Sequence, residues 1–598
     1  MPKLPQLSQG GSYSTSTDVF YGLDRRLKAQ DGTFSAMSNL SGEEYPVLST
    51  RKYRGNFAHL NVPQGIIAKD ALAWVDGGKL YYNGLEVEGV NLSANGEKQL
   101  VSMGAYLVIF PDKYYINTQN LIEDHGYMEQ HNAPSGSVAY AMCDENGKLI
   151  ENVTVSSEPP ETTVNGSYWI DTNGSTHILL VYSESSKTWE NVPTVYVRIY
   201  SSGIGIGLKD GDGVSIEGAQ AEIGEDDDAS APFVAQVAAL NGKVIAHRVN
   251  EDYIVVTGIL DKTTYQADGV QLTVSRTVPD MDFVTEAGNR LWGCKYGLVN
   301  GEPINEIYCC SLGDFKNWNK FQGLSTDSWV ASQGSDGVFT GAITHMGYPL
   351  FFKENCLHKV YPSSTGAHQV QTTICRGVQD GSHKSLVVVD EYLYYKSRTD
   401  VCVYDGSLPV SVSEALGNEK YYDAVAGAFA GRYHISMRDS DGYWHMMVYD
   451  TATRLWHEED DFHALQFAQM DDDLYAIHAD TGVIWALYGS VGTPEHELPW
   501  MAETSIIGFE YPEQFRLSRW NLRADVPEGS VMDVYVQYNS DGRWIHVHHV
   551  EGDGHGSILI PVIARRCDHL QVKMEGTGEV KLYSFAKKLV FSGERWHR

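Results

Sequence analysis

EAGNRLWGCKYG (286–297), NEIYCCSLGDFKNWNKFQGLSTDSW (305–329) and GSDGVFTGAITHMGYPLFFKEN (334–355) decide the fold class. Their apolar and aromatic residues come in short runs broken by Gly, Asp or Asn, the pattern of short strands joined by tight turns. Gly288-Asn289 tolerates positive φ and turns a hairpin into Leu291-Trp292-Gly293-Cys294, and Asn305 to Cys310 gives the next strand. Ser335-Asp336-Gly337 opens a further unit.

The same grammar recurs downstream. Gly347–Phe352, Glu391–Tyr395, Arg432–Ser436 and Asp473–Ile477 read as central strands, each followed by a polar turn. A second strand follows each of them: Asn355–Val360, Asp400–Tyr404, Trp444–Tyr449 and Gly482–Leu487. The spacing of roughly 40 to 50 residues is the blade length of a β-propeller. With the unit at Glu286 and one earlier blade over Ala71–Asn83 and Gln99–Ile116, the sequence predicts an all-β propeller of about six blades. Stacked β-sandwiches without circular closure are the alternative.

Working outward, residues 1–55 form a polar strip with isolated apolar anchors, expected to be an extended arm over a neighbouring surface or a first segment packed on its own domain. Residues 56–120 read as the first blade, with Tyr106–Phe110 as its innermost strand. Residues 121–235 read as an inserted β-rich domain, since surface loops of a propeller tolerate insertions. The strands of 236–280 belong to that insertion or to the returning propeller, and 281–493 hold the remaining blades. After a Pro-marked linker, 500–598 alternate as a C-terminal β-sandwich.

The chain has 598 residues and 42% hydrophobic content, ample for several buried cores. No apolar run is long enough for a membrane-spanning helix, and MPKLPQLSQGG lacks a signal-peptide core, so the expectation is a soluble protein made in the cytoplasm. The eight cysteines show no CxxC spacing and read as buried free thiols. A formal charge of −32 argues against a basic nucleic-acid groove. It suits a conduit through which DNA slides without sticking, or simply solubility.

No G-x-S-x-G elbow, H-E-x-x-H pair or G-K-[ST] phosphate loop occurs. Gly203-Ile204-Gly205-Ile206-Gly207 lacks the strand-to-helix context of a dinucleotide loop and reads as a turn. His546 and His548 fall on one face of a strand, a spacing that can hold a transition metal, but a solvent-facing strand is the favoured reading, and His549 follows. Asp471-Asp472-Asp473 and Asp439-Ser440-Asp441-Gly442 complete no calcium loop, and Glu225–Asp228 reads as a solvated loop. Ser440–Trp444 and Ser540–Trp544 resemble the Asp-box of sialidase propellers with wrong spacings, so they read as Asp-Gly hairpins. A propeller glycosidase needs a carboxylate pair, which 77 acidic residues leave open. No catalytic, cofactor-binding or metal residue is assigned, no cofactor is expected, and the chain is expected not to be an enzyme.

Several phrases carry a family resemblance: Asn39-Leu40, Tyr45-Pro46 and Arg51 in the arm; Asn289-Arg290-Leu291-Trp292-Gly293; Asn305-Glu306-Ile307-Tyr308 followed by Leu312-Gly313-Asp314-Phe315 and Trp318; and Phe351-Phe352-Lys353-Glu354. They resemble phage tail proteins of the nozzle, tail tubular protein B or stabilisation type, from short-tailed phages and prophages. The resemblance covers arm and propeller well and the other domains weakly, and none of its motifs is catalytic. It implies a structural virion protein of the tail. Such a subunit forms a homohexameric ring below the portal and its adaptor, sealing packaged DNA and later passing it, without membrane insertion. A phage receptor-binding or glycan-processing propeller is the alternative.

Overall fold

The computed structural model describes residues 11–591 except 162, 163, 226, 512, 553 and 564, and excepting the side chains of 554 and 555. Strands dominate, and the longest helix among the described residues is Pro232–Ala238. No helix there is long and apolar enough to cross a membrane.

Seven sheets of hairpin-connected antiparallel strands form the blades of a propeller. In chain order their first strands are Pro63–Ala68, Gln99–Met103, Phe283–Glu286, Gly341–His345, Val387–Val389, Tyr421–Phe429 and Ala464–Met470. Neighbouring first strands pack on one another round the ring, except between blades 4 and 5, and the last returns to the first. Between blades 4 and 6 the 3-10 turn His383–Ser385 takes part of the inner position that the short first strand of blade 5 leaves open. Closure is by strand pairing: Gly55–His59 precedes blade 1 in the chain yet pairs as the fourth strand of blade 7, against Val483–Ala486, with Thr493–Pro494 beyond it.

The all-β propeller reading therefore holds, with seven blades where about six were expected. Ala71–Asn83 and Gln99–Ile116 belong to two blades, because their strands fall in separate sheets. Tyr106–Phe110 is the second strand of blade 2, not the innermost; Gln99–Met103 lies inside it. Second strands are largely buried because neighbouring blades cover both their faces, as with Leu350, Phe351 and Phe352. Innermost strands instead turn one face to the axis.

Three further sheets lie between Gln130 and Arg276, inserted between the outer strand of blade 2 and the inner strand of blade 3. Gly242–Ala246 pairs with Asp212–Glu217 and Tyr253–Thr257 with Tyr196–Tyr200, so these strands complete the insertion. Its own core includes Tyr140, Ile199, Val214 and Ile254. Asn317, on the long blade 3 loop, clamps it: the side chain donates to Asp212 at 2.9 Å and accepts from the Gly213 N–H at 2.9 Å.

The C-terminal strands make two packed sheets, and the N-terminal segment supplies several of their strands. Ser12–Thr17 pairs with Lys581–Phe591, Phe34–Ser38 with Pro499–Thr504, and Leu48–Thr50 with the start of Lys581–Phe591. The extended arm over a neighbouring surface is thus corrected: its anchors Phe20, Leu23, Phe34, Met37, Leu40 and Leu48 are buried in the core of the chain's own sandwich. That core continues into Tyr433, Met447 and Trp456 of blade 6, so the sandwich is seated on the outer edge of that blade. Asn39, in the left-handed region at φ 55, ties the joint by donating to Pro499 O at 2.7 Å and accepting from Arg51 Nε at 2.6 Å. All eight cysteines are free, and only Cys375 is less than fully buried.

Candidate functional site

A polar cavity lies at the axis of the propeller. It has a volume of about 420 Å³ and is lined by residues 97–100 and 281–283, by His383, Lys384 and Leu386, and by Phe110, Pro111, Ala342 and Gln466. Most of these sit at or just before the start of an inner strand, so the cavity is the mouth of the ring at that end. Five blades contribute to it.

The fold fixes each polar group separately. Ser382 and Ser385 are buried and anchor the 3-10 turn: Ser385 Oγ donates to Ser382 O at 2.6 Å, and Ser382 Oγ accepts from the Ala424 N–H at 3.0 Å. Tyr433 donates its hydroxyl to Ser385 O at 2.7 Å. This holds Lys384 across the mouth, where its Nζ meets Glu97 Oε2 at 2.6 Å and donates to Leu465 O at 2.9 Å. Burial pulls the Lys384 ammonium below its ordinary value, against the opposing pull of Glu97. His383 beside it is pushed down to about 4 by burial and packs on Phe283 with ring centroids 5.1 Å apart, so it is neutral at neutral pH.

Asp282 accepts from Lys295 Nζ at 2.7 Å and from the Tyr296 N–H at 2.8 Å. Gln99 spans blades 2 and 3, donating to Val284 O at 2.6 Å and accepting from Val284 N at 3.1 Å. Lys98 is fully buried against Asp112 at 2.6 Å. Glu97 and Asp282 therefore line the cavity, each with a lysine partner.

The motifs singled out in the sequence lie elsewhere. His546 and His549, not His548, converge: each contacts Asp533 Oδ1 at 2.8 Å, because a register shift at Val534/Tyr535 places His548 opposite Val534. Among the described residues no group of three or more His, Cys, Asp or Glu could hold a metal ion. Asp473 is buried and accepts from the Leu474, Tyr488 and Ser490 N–H groups. Asp439 caps its hairpin through the Asp441 and Tyr443 N–H groups. Asp541 accepts from the Arg543 N–H, as an Asp-Gly turn requires. Ile204 and Ile206 carbonyls bind Asn132, so the glycine run is a packed turn. In the acidic run Asp226 lies outside the described residues, and Asp227 pairs with Lys262 at 2.8 Å.

No family model matches this chain, and no curated protein matches it. Solved structures similar to it include an exo-β-1,3-galactanase of Phanerochaete chrysosporium, 7% identical over 51% of this chain and 94% of that one, with a TM-score of 0.22. A family 43 arabinoxylan arabinofuranohydrolase of Bacillus subtilis is 10% identical over 52% of this chain and 95% of that one, TM-score 0.19. An extracellular domain described as part of a one-component system in B. thetaiotaomicron is 9% identical over 91% and 95%, TM-score 0.25. The expectation that the chain is not an enzyme is corrected: glycoside hydrolases stand among the solved structures similar to it. At these identities and TM-scores the likeness carries no substrate or mechanism over to this chain.

Sequence reasoning missed the axial residues. Glu97, Asp282, His383 and Lys384 occupy polar connections that form no motif. The one usable signal is position, immediately before each inner strand.

Proposed function

We propose that this β-propeller is a subunit of a phage tail nozzle or head-to-tail connector ring, six copies of which surround a DNA exit channel. The observation that carries the reading is the placement of the two appended domains. From the blade 2–3 junction, where the insertion leaves, to blade 6, where the sandwich sits, is three and a half blades in either direction round the seven. Each subunit thus offers unlike surfaces on opposite flanks, which a head-to-tail cyclic ring requires. The resemblance of the arm and propeller phrases supports the same reading, and Asn39, Arg51, Arg290 and Trp318 from those phrases all hold joints of the fold. A charge of −32 suits a bore that passes DNA without binding it.

Negative-stain imaging of the purified chain, alone and on tails, tests this. Six-fold rings with a central channel are expected; monomers under both conditions would overturn it. A second reading, a glycan-processing propeller, is favoured by the axial cavity, whose lining includes Glu97 and Asp282. Release of reducing sugar from polysaccharide by the purified chain is its test, and no release from any host surface polysaccharide would end it.

A further inference from the structure

We infer that the axial cavity is a binding site for a neutral, hydroxyl-rich ligand, the terminal one or two residues of an uncharged saccharide. Three properties of the lining point to that chemistry. First, its charges cancel locally: Glu97 meets Lys384 at 2.6 Å, Asp282 meets Lys295 at 2.7 Å and Lys98 meets Asp112 at 2.6 Å. A phosphate or sulfate ester would find no uncompensated cation, and a metal ion or polyamine no uncompensated carboxylate.

Second, the paired groups keep hydrogen-bonding capacity. A carboxylate offers about four acceptor sites and an ammonium three donors, so the Glu97–Lys384 pair, whose carboxylate is 54% exposed, presents acceptors and donors side by side. Sugar hydroxyls, which donate and accept at once, match that alternation. Gln466 adds an amide whose Oε1 takes only a long 3.4 Å contact from the Ile66 N–H. Third, part of the lining is apolar, with Phe283, Leu100, Phe110 and Met281. Aromatic and aliphatic surface accepts the C–H face of a pyranose, and a few placed polar groups fix its orientation. About 420 Å³ lies within the range of small-ligand sites.

The inference deepens the glycan-processing reading and rests on its pocket, but the two fail separately. The full chain is titrated with galactose, glucose, xylose, arabinose, N-acetylglucosamine and cellobiose, using saturation-transfer NMR and calorimetry. Expected is binding of at least one sugar with Kd of about 10 mM or tighter. Glu97→Gln should weaken it about tenfold or more. Ala342→Phe, which fills the mouth, should abolish it. Arg248→Gln, on the insertion's surface pair with Asp210, should leave it unchanged. If Glu97→Gln loses its thermal transition, Gln466→Ala and Ala342→Phe carry the test.

No binding by the folded chain overturns the site, as does binding that neither Gln466→Ala nor Ala342→Phe alters. Tighter binding of glucose 6-phosphate than of glucose overturns the neutral class. Binding without release of reducing ends leaves the site standing and removes the processing role. Release that survives Ala342→Phe does the reverse.

Discussion

Arg54 shows how much this chain invests in single buried charges. With its side chain 4% exposed, it holds Glu459 and Asp460 at 2.6 Å each, and Arg51 joins the same cluster at 3.6 Å from Asp460. Removing one partner of a buried pair strands the others, at a cost of about 3–5 kcal/mol. Arg54→Ala is therefore expected to lower the thermal midpoint clearly, whereas Arg248→Ala, whose ion pair is exposed, should move it by less than a degree or two. Equal shifts would contradict the reading of Arg54. The histidines give a pH prediction. Burial pushes His358, His434 and His457 down to about 4, so between that value and the ordinary ~6.5 the unfolded chain binds more protons than the folded one. Stability should fall as pH drops through that window. His445 runs the other way. Burial lowers it, but hydrogen bonds to Glu458 and Asp439 outweigh this and raise it. Its contribution is complete below its ordinary value and lost as pH rises through the folded one. Thermal scans from pH 7.5 to 5 check the balance, and His457→Gln should flatten the acid side of the curve.

At the scale of elements, the ring depends on Gly55–His59. A Cβ on Gly55 would lie 1.8 Å from Val491 O, a backbone atom that cannot swing aside. Gly55→Ala should cost roughly 2 kcal/mol or more and expose the chain to trypsin at Arg51, Lys52 and Arg54. Gly334→Ala, where a Cβ meets nothing within 4 Å, should change neither. An unchanged trypsin pattern in Gly55→Ala would mean the closing strand is not what seals the ring. Which elements were legible in the sequence follows from the same geometry. Arg432–Asp439 and Trp444–Asp450 stand out because adjacent blades or the sandwich cover much of both faces, so that Tyr, Ile, Met and Val recur along them. Innermost strands such as Gln99–Met103, and exposed outer strands such as Gln369–Ile374, carry mixed residues and gave little signal. The axial site was illegible for that reason, being built where the strands are least apolar. Two early blades merged into one because their hairpins follow closely. The arm's anchors were visible, but not their destination, since Ser12 pairs with Val590 at the far end of the chain.

At the scale of the molecule, a propeller sealed by its own N-terminal strand is a rigid hub, and the insertion and sandwich project from it half a turn apart. That separation makes the head-to-tail claim measurable in solution. Exposed lysines mark both appendages: Lys148, Lys187, Lys243 and Lys262 on the insertion, and Lys588 on the sandwich. Within one chain the whole propeller stands between the two sets. Lysine cross-linking of the assembled protein, read by mass spectrometry, is the most direct test of the account. It predicts links between Lys588 and the insertion lysines that appear only in the oligomer band. Oligomers whose links all join the insertion to itself or the sandwich to itself would contradict it.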